Sequence, residues 1–391
     1  MAASFITIFL TLEVSYRAVA LVKNWDNRDN IITFGFKKSD GKSVLQEFSS
    51  IYRTYPEGYY AFAPNIAFNL RFNSKGDPYP DVSSSKNADH INNLGLRSKQ
   101  ADISKENGII RIIDLGSSST YGFHVKDNET YPFQLQTILD NKFDEGRFEV
   151  INGGLPFFTS VDIEVLLHSL FLKMKPEVVT FYIGCNDSVR VTQDYYLKKR
   201  LGVRWEAVDW LSQYSFFLKM IKVNIKKKHR WFWDNDRKKI TKKEINEFIQ
   251  KSEPIFRDRV LRMQKVCEEH DIYPIFITQI YSSMAEYKRN NALDKIAEIE
   301  GLSYADYGSL LQAKDALDYN ELVNYVHHVF TKTIRDISKD RLVDFTKLSK
   351  NAYYEHLNSH VHLTPKGNRV LARQLANYVT HNIEEISAHK F

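Results

Sequence analysis

The stretch from Ile109 to Leu115 (IIRIIDL) most constrains what this chain can fold into. It is rich in β-branched residues, which fit a pleated strand better than a helix, and it reads as a buried strand. A glycine breaks it, and Ser117, Ser118 and Ser119 follow at the strand's carboxyl end. In open parallel α/β sheets that edge is where ligands bind.

The sequence downstream alternates regularly. Thr130-Tyr131-Pro132 makes a helix start, with Phe133, Leu135, Ile138 and Leu139 as its apolar positions. Phe148 to Ile151 is a short second strand. Thr159 or Ser160 can cap a helix with Ile163, Leu166, Leu167 and Leu170 on one face, closed by Pro176. Val178 to Ile183 (VVTFYI) is a near-continuous apolar run, as expected for a strand covered on both faces. Tyr273 to Thr278 and Leu302 to Ala305 are expected as further strands, each after a helical stretch. This alternation predicts an α/β fold, a parallel sheet with helices on both sides.

Other segments stand outside that rhythm. Ala2 to Val22 is about long enough to cross a bilayer, which needs roughly 20 apolar residues. Glu13 and Arg17 interrupt it, four apart on one helical face where they can pair. It lacks the basic start and small-residue cleavage site of a signal peptide. A membrane anchor is therefore expected, ahead of an amphipathic helix docked on the soluble domain. Residues 23 to 108 are polar and aromatic, with Tyr52, Tyr55, Tyr59 and Tyr60 among Pro56 and Pro64, and a turn-rich loop from Gly76 to Ala88. They read as an N-terminal extension of loops and short strands packed on a main domain spanning 109–391. An insertion at about 188–245 breaks the rhythm. Within it, Val223 to Trp233 joins a basic run to three aromatics. A solvated helix face followed by folded-in aromatics is the favoured reading, beside a membrane or polyanion contact and a lid.

Composition narrows the partners. Net charge is +6, from 54 basic and 48 acidic residues, too small an excess to argue nucleic-acid binding without a concentrated patch. Two cysteines, Cys185 and Cys267, imply no disulfide framework. His356, His360 and His362 have no matching carboxylate or cysteine cluster, so neither metal nor other cofactor is expected.

Four short motifs sit at or near the carboxyl ends of these strands: Gly116-Ser117-Ser118-Ser119-Thr120-Tyr121-Gly122, Asn152-Gly153-Gly154, Gly184-Cys185-Asn186-Asp187, and His362-Leu363-Thr364-Pro365-Lys366-Gly367-Asn368. The last opens a terminal helix with Thr364 as cap and Pro365 in its first position. Their shared logic is acyl transfer. A serine hydroxyl needs a base, usually histidine, and the tetrahedral intermediate needs donors aimed at its oxyanion. Ser118 and His362 are the candidates for nucleophile and base, Gly154 and Asn186 for oxyanion donors. Plainer readings exist: turn serines at 117–119, a tight strand exit at Gly153 and Gly154, an Asx turn at Asn186 and Asp187, and a small buried side chain at Cys185. Asp114, inside an apolar strand, has no explanation at this level.

Together the motifs resemble the blocks of the SGNH (GDSL-type) hydrolase superfamily. The first is similar to its GDSxTxG block, the second to its glycine block, GCND to its GxND block, and SHVHLTPKGN to its D-x-x-H-L-T-x-x-G block. Asn92-Asn93-Leu94-Gly95-Leu96-Arg97 also resembles a stretch that precedes the first block in membrane-anchored bacterial members. The resemblance implies a flavodoxin-like three-layer sandwich with a mostly parallel five-stranded sheet, and ester hydrolysis or O-acyl transfer, commonly on acetyl groups of glycans or on lipid esters. It implies a membrane-associated protein with a periplasmic or otherwise extracytoplasmic domain. Two positions depart from the blocks, which carry aspartate where this chain has Ser117 and Ser359. The second is the triad acid. A serine hydroxyl at 359 could accept the Nδ1 proton of His362 and give a slower dyad, and Glu355, Asp344 or Asp306 could substitute from elsewhere. The departures motivate a second reading, an inactive member kept as a binding or structural subunit of a membrane protein assembly.

Overall fold

The computed structural model describes residues 52–55, 59–72, 78–81, 88–202, 239–281, 304–347 and 356–388. The expected anchor at Ala2–Val22, the basic-aromatic run Val223–Trp233 and Glu355 lie outside them. Among the described residues no helix is long and apolar enough to cross a membrane.

The extension forms small antiparallel pieces. Strand β1 (Tyr52–Thr54) pairs with β2 (Tyr60–Phe62), and β3 (Ala67–Phe72) lies between β4 (Pro78–Asp81) and β5 (Asp89–His90). Tyr59, Phe62, Phe68, Ile91 and Leu96 are buried in the same core cluster as strand residues of the main domain.

The main domain is built on β6 (Ile110–Gly116), whose residues are all buried. Helix α1 (Ser118–Tyr121) and helix α2 (Tyr131–Lys142) follow, then β7 (Phe148–Gly154), helix α3 (Ser160–Ser169) and β8 (Val178–Tyr182). Next come helix α4 (Cys185–Leu201), β9 (Ile240–Thr241), helix α5 (Lys242–Glu269) and β10 (Tyr273–Ile277). Then come helix α6 (Tyr304–Ala313), β11 (Ala316–Leu317), helix α7 (Tyr319–Ser338), β12 (Leu342–Val343), helix α8 (Pro365–His381) and a short helix α9 (Ile383–Ala388). Five strands form one sheet in the order β12-β10-β8-β6-β7, all parallel. Numbered by appearance within the sheet this is the flavodoxin-like order 2-1-3-4-5, which reverses direction between β6 and β8.

Alternation along the strands divides the core into two layers. Ile112, Val178, Tyr273 and Ile275 face α2 and α8, where they meet Tyr131, Leu135, Leu139, Leu371 and Leu375. Ile113, Leu115, Val179, Phe181 and Phe276 face the other way, toward Ile163 and Leu166 of α3, Val260 of α5 and Phe330 of α7. The fold is thus a three-layer α/β/α sandwich.

Of the strand expected at Leu302–Ala305, Leu302 and Ser303 lie outside the described residues and the rest is helix. Tyr304 and Ala305 open helix α6, and the fifth strand is Leu342–Val343. A two-residue strand at a sheet edge carries no period for sequence reading to detect. The segment expected to break the rhythm from residue 188 continues as helix to Leu201, and α5 begins at Lys242.

Side chains dress the free edge of β7. Gln136 accepts from Val150 N at 2.7 Å and donates to Phe148 O at 3.0 Å, while Ser98 Oγ accepts from Asn152 N at 3.4 Å.

Arg97 ties the extension to the main domain. Its buried guanidinium pairs with Asp89 at 2.6 Å and Asp127 at 2.7 Å, and donates to the carbonyls of Tyr121, Gly122 and Val125 at 3.2, 2.7 and 2.8 Å. Truncation would strand a buried carboxylate and three carbonyls. Arg97→Ala is therefore expected to cost roughly 3–5 kcal/mol, read as a lowered urea midpoint.

Candidate active site

The nucleophile candidate stands on a turn that only glycine permits. A Cβ on Gly116 would lie 2.0 Å from Thr120 Oγ1 and 2.9 Å from the Tyr182 carbonyl. Gly154 pairs with Gly116 across the sheet, and a Cβ there would lie 2.2 Å from Tyr121 N. Helix α1 thus rests directly on the end of β7, and Gly154 serves as the close-approach residue beneath it.

The base candidate arrives from a tight loop before α8. Thr364 caps that helix by accepting from Gly367 N at 3.0 Å, with Pro365 at its start, as the sequence predicts. Thr364 N donates to His356 O at 2.8 Å and Asn358 N to His362 O at 2.7 Å, closing the loop on itself. The result places His362 Nε2 at 2.8 Å from Ser118 Oγ, joining residues 244 positions apart. His362 Nδ1 faces Ser359 Oγ at 2.8 Å. The rings of Phe123, His124 and His360 stand 5.0, 5.3 and 5.8 Å from the imidazole, centre to centre.

Ser119, which the sequence offers as a plain turn serine, and Gln279, which lies outside the four motifs, hold these parts in register. Ser119 Oγ donates to the Val361 carbonyl at 3.0 Å and accepts from Gln279 Nε2 at 3.3 Å. Gln279 Oε1 in turn accepts from Cys185 N at 3.0 Å. A buried polar chain therefore links the nucleophile helix, the histidine loop and the start of α4. The signal in the sequence is Gln279 itself, a polar residue just past the carboxyl end of β10.

The expected oxyanion donors are already engaged. Gly154 N donates to Asn152 Oδ1 at 2.9 Å. The Asn186 amide donates to Ser117 Oγ at 2.5 Å and to the Phe158 carbonyl at 2.8 Å. Asp187 forms no local turn. It is buried, accepts from Ser160 at the start of α3, and lies 3.9 Å from Arg259. Burial pushes its carboxyl above the ordinary value against those hydrogen bonds. Cys185 is fully buried with its thiol pushed well up by desolvation, so it is a packing residue.

Of the substitutes considered for a triad acid, Asp344 is taken up by Arg335, Thr278 and Thr346, and Asp306 is exposed on α6. Among the described residues no group of three His, Cys, Asp or Glu is arranged to hold a metal ion.

Asp114 lies fully buried in β6, accepting from Thr180 Oγ1 at 2.5 Å, and burial pushes its carboxyl up to about 7. Tyr131, whose hydroxyl donates to Thr120 Oγ1 at 3.2 Å, is part of the same buried cluster under the nucleophile helix.

No protein-family model matches the chain, and no curated protein does. Among solved structures it is similar to an acetyl xylan esterase, with 13% identity over 69% of this chain and 100% of that one, at a TM-score of 0.37. It is similar to a lipase/acylhydrolase from Enterococcus faecalis, with 15% identity over 70% and 97%, also at 0.37. An acetylxylan esterase from Geobacillus stearothermophilus shows 15% identity over 69% and 94%, at 0.36. At these values the likeness assigns no role to any residue of this chain.

Asp114 generates a pH prediction. Its folded value near 7 exceeds the unfolded one near 4, so the folded state holds a proton that the unfolded state releases. The contribution of this carboxyl to stability is full below about pH 4 and falls by roughly 1.4 kcal/mol per pH unit until about pH 7. Asp114→Asn should flatten that slope in urea titrations at successive pH values.

Proposed function

We propose that this protein is a serine-dependent ester hydrolase or O-acyl transferase, with Ser118 as nucleophile and His362 as base. The observation that carries the reading is the 2.8 Å approach of His362 Nε2 to Ser118 Oγ at the carboxyl edge of a parallel sheet. In the reaction His362 takes the Ser118 proton as Oγ attacks the acyl carbonyl, then returns it to the leaving alcohol. Water or a second alcohol releases the acyl group from Ser118. For Asn186 to serve the oxyanion, its amide must exchange Ser117 Oγ for the developing charge. The resemblance of the four motifs supports esters of glycans or lipids as the substrate class, with acetyl as the acyl group. We further propose that Ala2–Val22 anchors the protein in a membrane, with this domain on the extracytoplasmic side.

A second reading has its own support. Because Gly154 N and both protons of the Asn186 amide have internal acceptors, the site also fits an inactive protein that binds a partner within a membrane assembly.

Hydrolysis of p-nitrophenyl acetate and labelling by a fluorophosphonate separate the two. The enzyme reading expects both to disappear in Ser118→Ala, and kcat to fall roughly 10²–10³-fold in Asn186→Ala. A folded protein that neither hydrolyses the ester nor takes the label would favour the binding role.

A further inference from the structure

Ser359 faces His362 from a buried position, 4% exposed, so its hydrogen bonds are made within the protein. A hydroxyl has one proton to donate and two lone pairs to accept with. The main-chain N–H groups of Val361 and His362 donate to Ser359 Oγ at 3.4 and 3.2 Å, which uses both acceptor positions. The proton remains, and the acceptor that the described residues offer it is His362 Nδ1, at 2.8 Å. The opposite arrangement would aim a third N–H at an oxygen already accepting twice. It would also leave a buried O–H without an acceptor among those residues, which folded proteins avoid.

We infer that Ser359 donates to Nδ1 and so holds resting His362 in the tautomer whose proton sits on Nε2, facing Ser118. This reverses the direction expected from sequence, in which the serine would receive the Nδ1 proton. The consequence rests on the reading of His362 as a base. With its proton on Nε2, the imidazole donates to Ser118 Oγ and cannot accept the serine's proton until its own has moved to Nδ1. Ser359 is thus a positioning residue that holds the site back. A carboxylate in its place has acceptors only and would put the proton on Nδ1, leaving the Nε2 lone pair free for Ser118.

The test uses the full chain labelled with ¹⁵N-histidine, with the His362 signals identified by their loss in His362→Gln. Two-bond ¹H–¹⁵N spectra of the neutral ring should show a protonated Nε2 and a bare Nδ1. Ser359→Asp should reverse that pattern. It should also raise p-nitrophenyl acetate hydrolysis at least about tenfold, toward the roughly 10⁴-fold effect that a wrong tautomer has in a serine protease. Should Ser359→Asp fail to fold, Ser359→Ala removes the donor and should replace the single-tautomer pattern by an averaged one. A wild-type ring protonated on Nδ1, or a pattern unchanged in the substituted proteins, overturns the inference. Reversal without any gain in hydrolysis supports the tautomer assignment and counts against Ser118 as a nucleophile.

Discussion

A single buried guanidinium supports much of this architecture. The helix that carries Ser118 is only four residues long, too short to hold its own shape, since helix nucleation is unfavourable and one turn returns little. Arg97 satisfies the carbonyls of Tyr121, Gly122 and Val125, at and just beyond its end. Because Arg97 belongs to the extension, that segment completes the turn on which the nucleophile candidate stands. The charge tolerates burial because Asp89 and Asp127 flank it, and Asp89 is itself held by the Tyr121 hydroxyl at 2.6 Å.

Opposite that end, packing sets the geometry. Gly116 and Gly154 remove two side chains where β6, β7 and the nucleophile helix converge, and the backbones close to contact distance. Ser119 and Gln279 then join the helix to the histidine loop and to the start of α4. The separation of Ser118 from His362 is therefore determined by backbone packing and three buried hydrogen bonds.

Long apolar periods made the layered fold legible in the sequence. The strands at Ile109–Leu115, Phe148–Ile151, Val178–Ile183 and Tyr273–Thr278, the helix start at Thr130–Pro132 and the caps at Thr159 or Ser160 and at Thr364 all reappear within a residue or three of their expected bounds. Leu342–Val343 is not legible, because two residues carry no alternation, and the composition of Leu302–Ala305 suits a strand although Tyr304 and Ala305 begin a helix. At the site, residue types pointed to Ser118 and His362 as a pair, and the geometry brings them together. Hydrogen-bond direction was beyond reach. Whether the Asn186 amide faces a substrate or another protein atom depends on Ser117 Oγ and the Phe158 carbonyl, both distant in sequence, while Gly154 N and Ser359 Oγ meet Asn152 and Val361 only because the chain turns there.

The dressed margin of β7 has a further consequence for how copies of this protein behave together. An outer strand with vacant amides is a template on which a neighbouring chain can add a strand. Here Gln136 and Ser98 occupy two donors and an acceptor along that margin, and the opposite margin, β12, is two residues long. Among the described residues neither flank of that sheet offers a long open ladder, which makes its outer strands poor templates for a neighbouring chain.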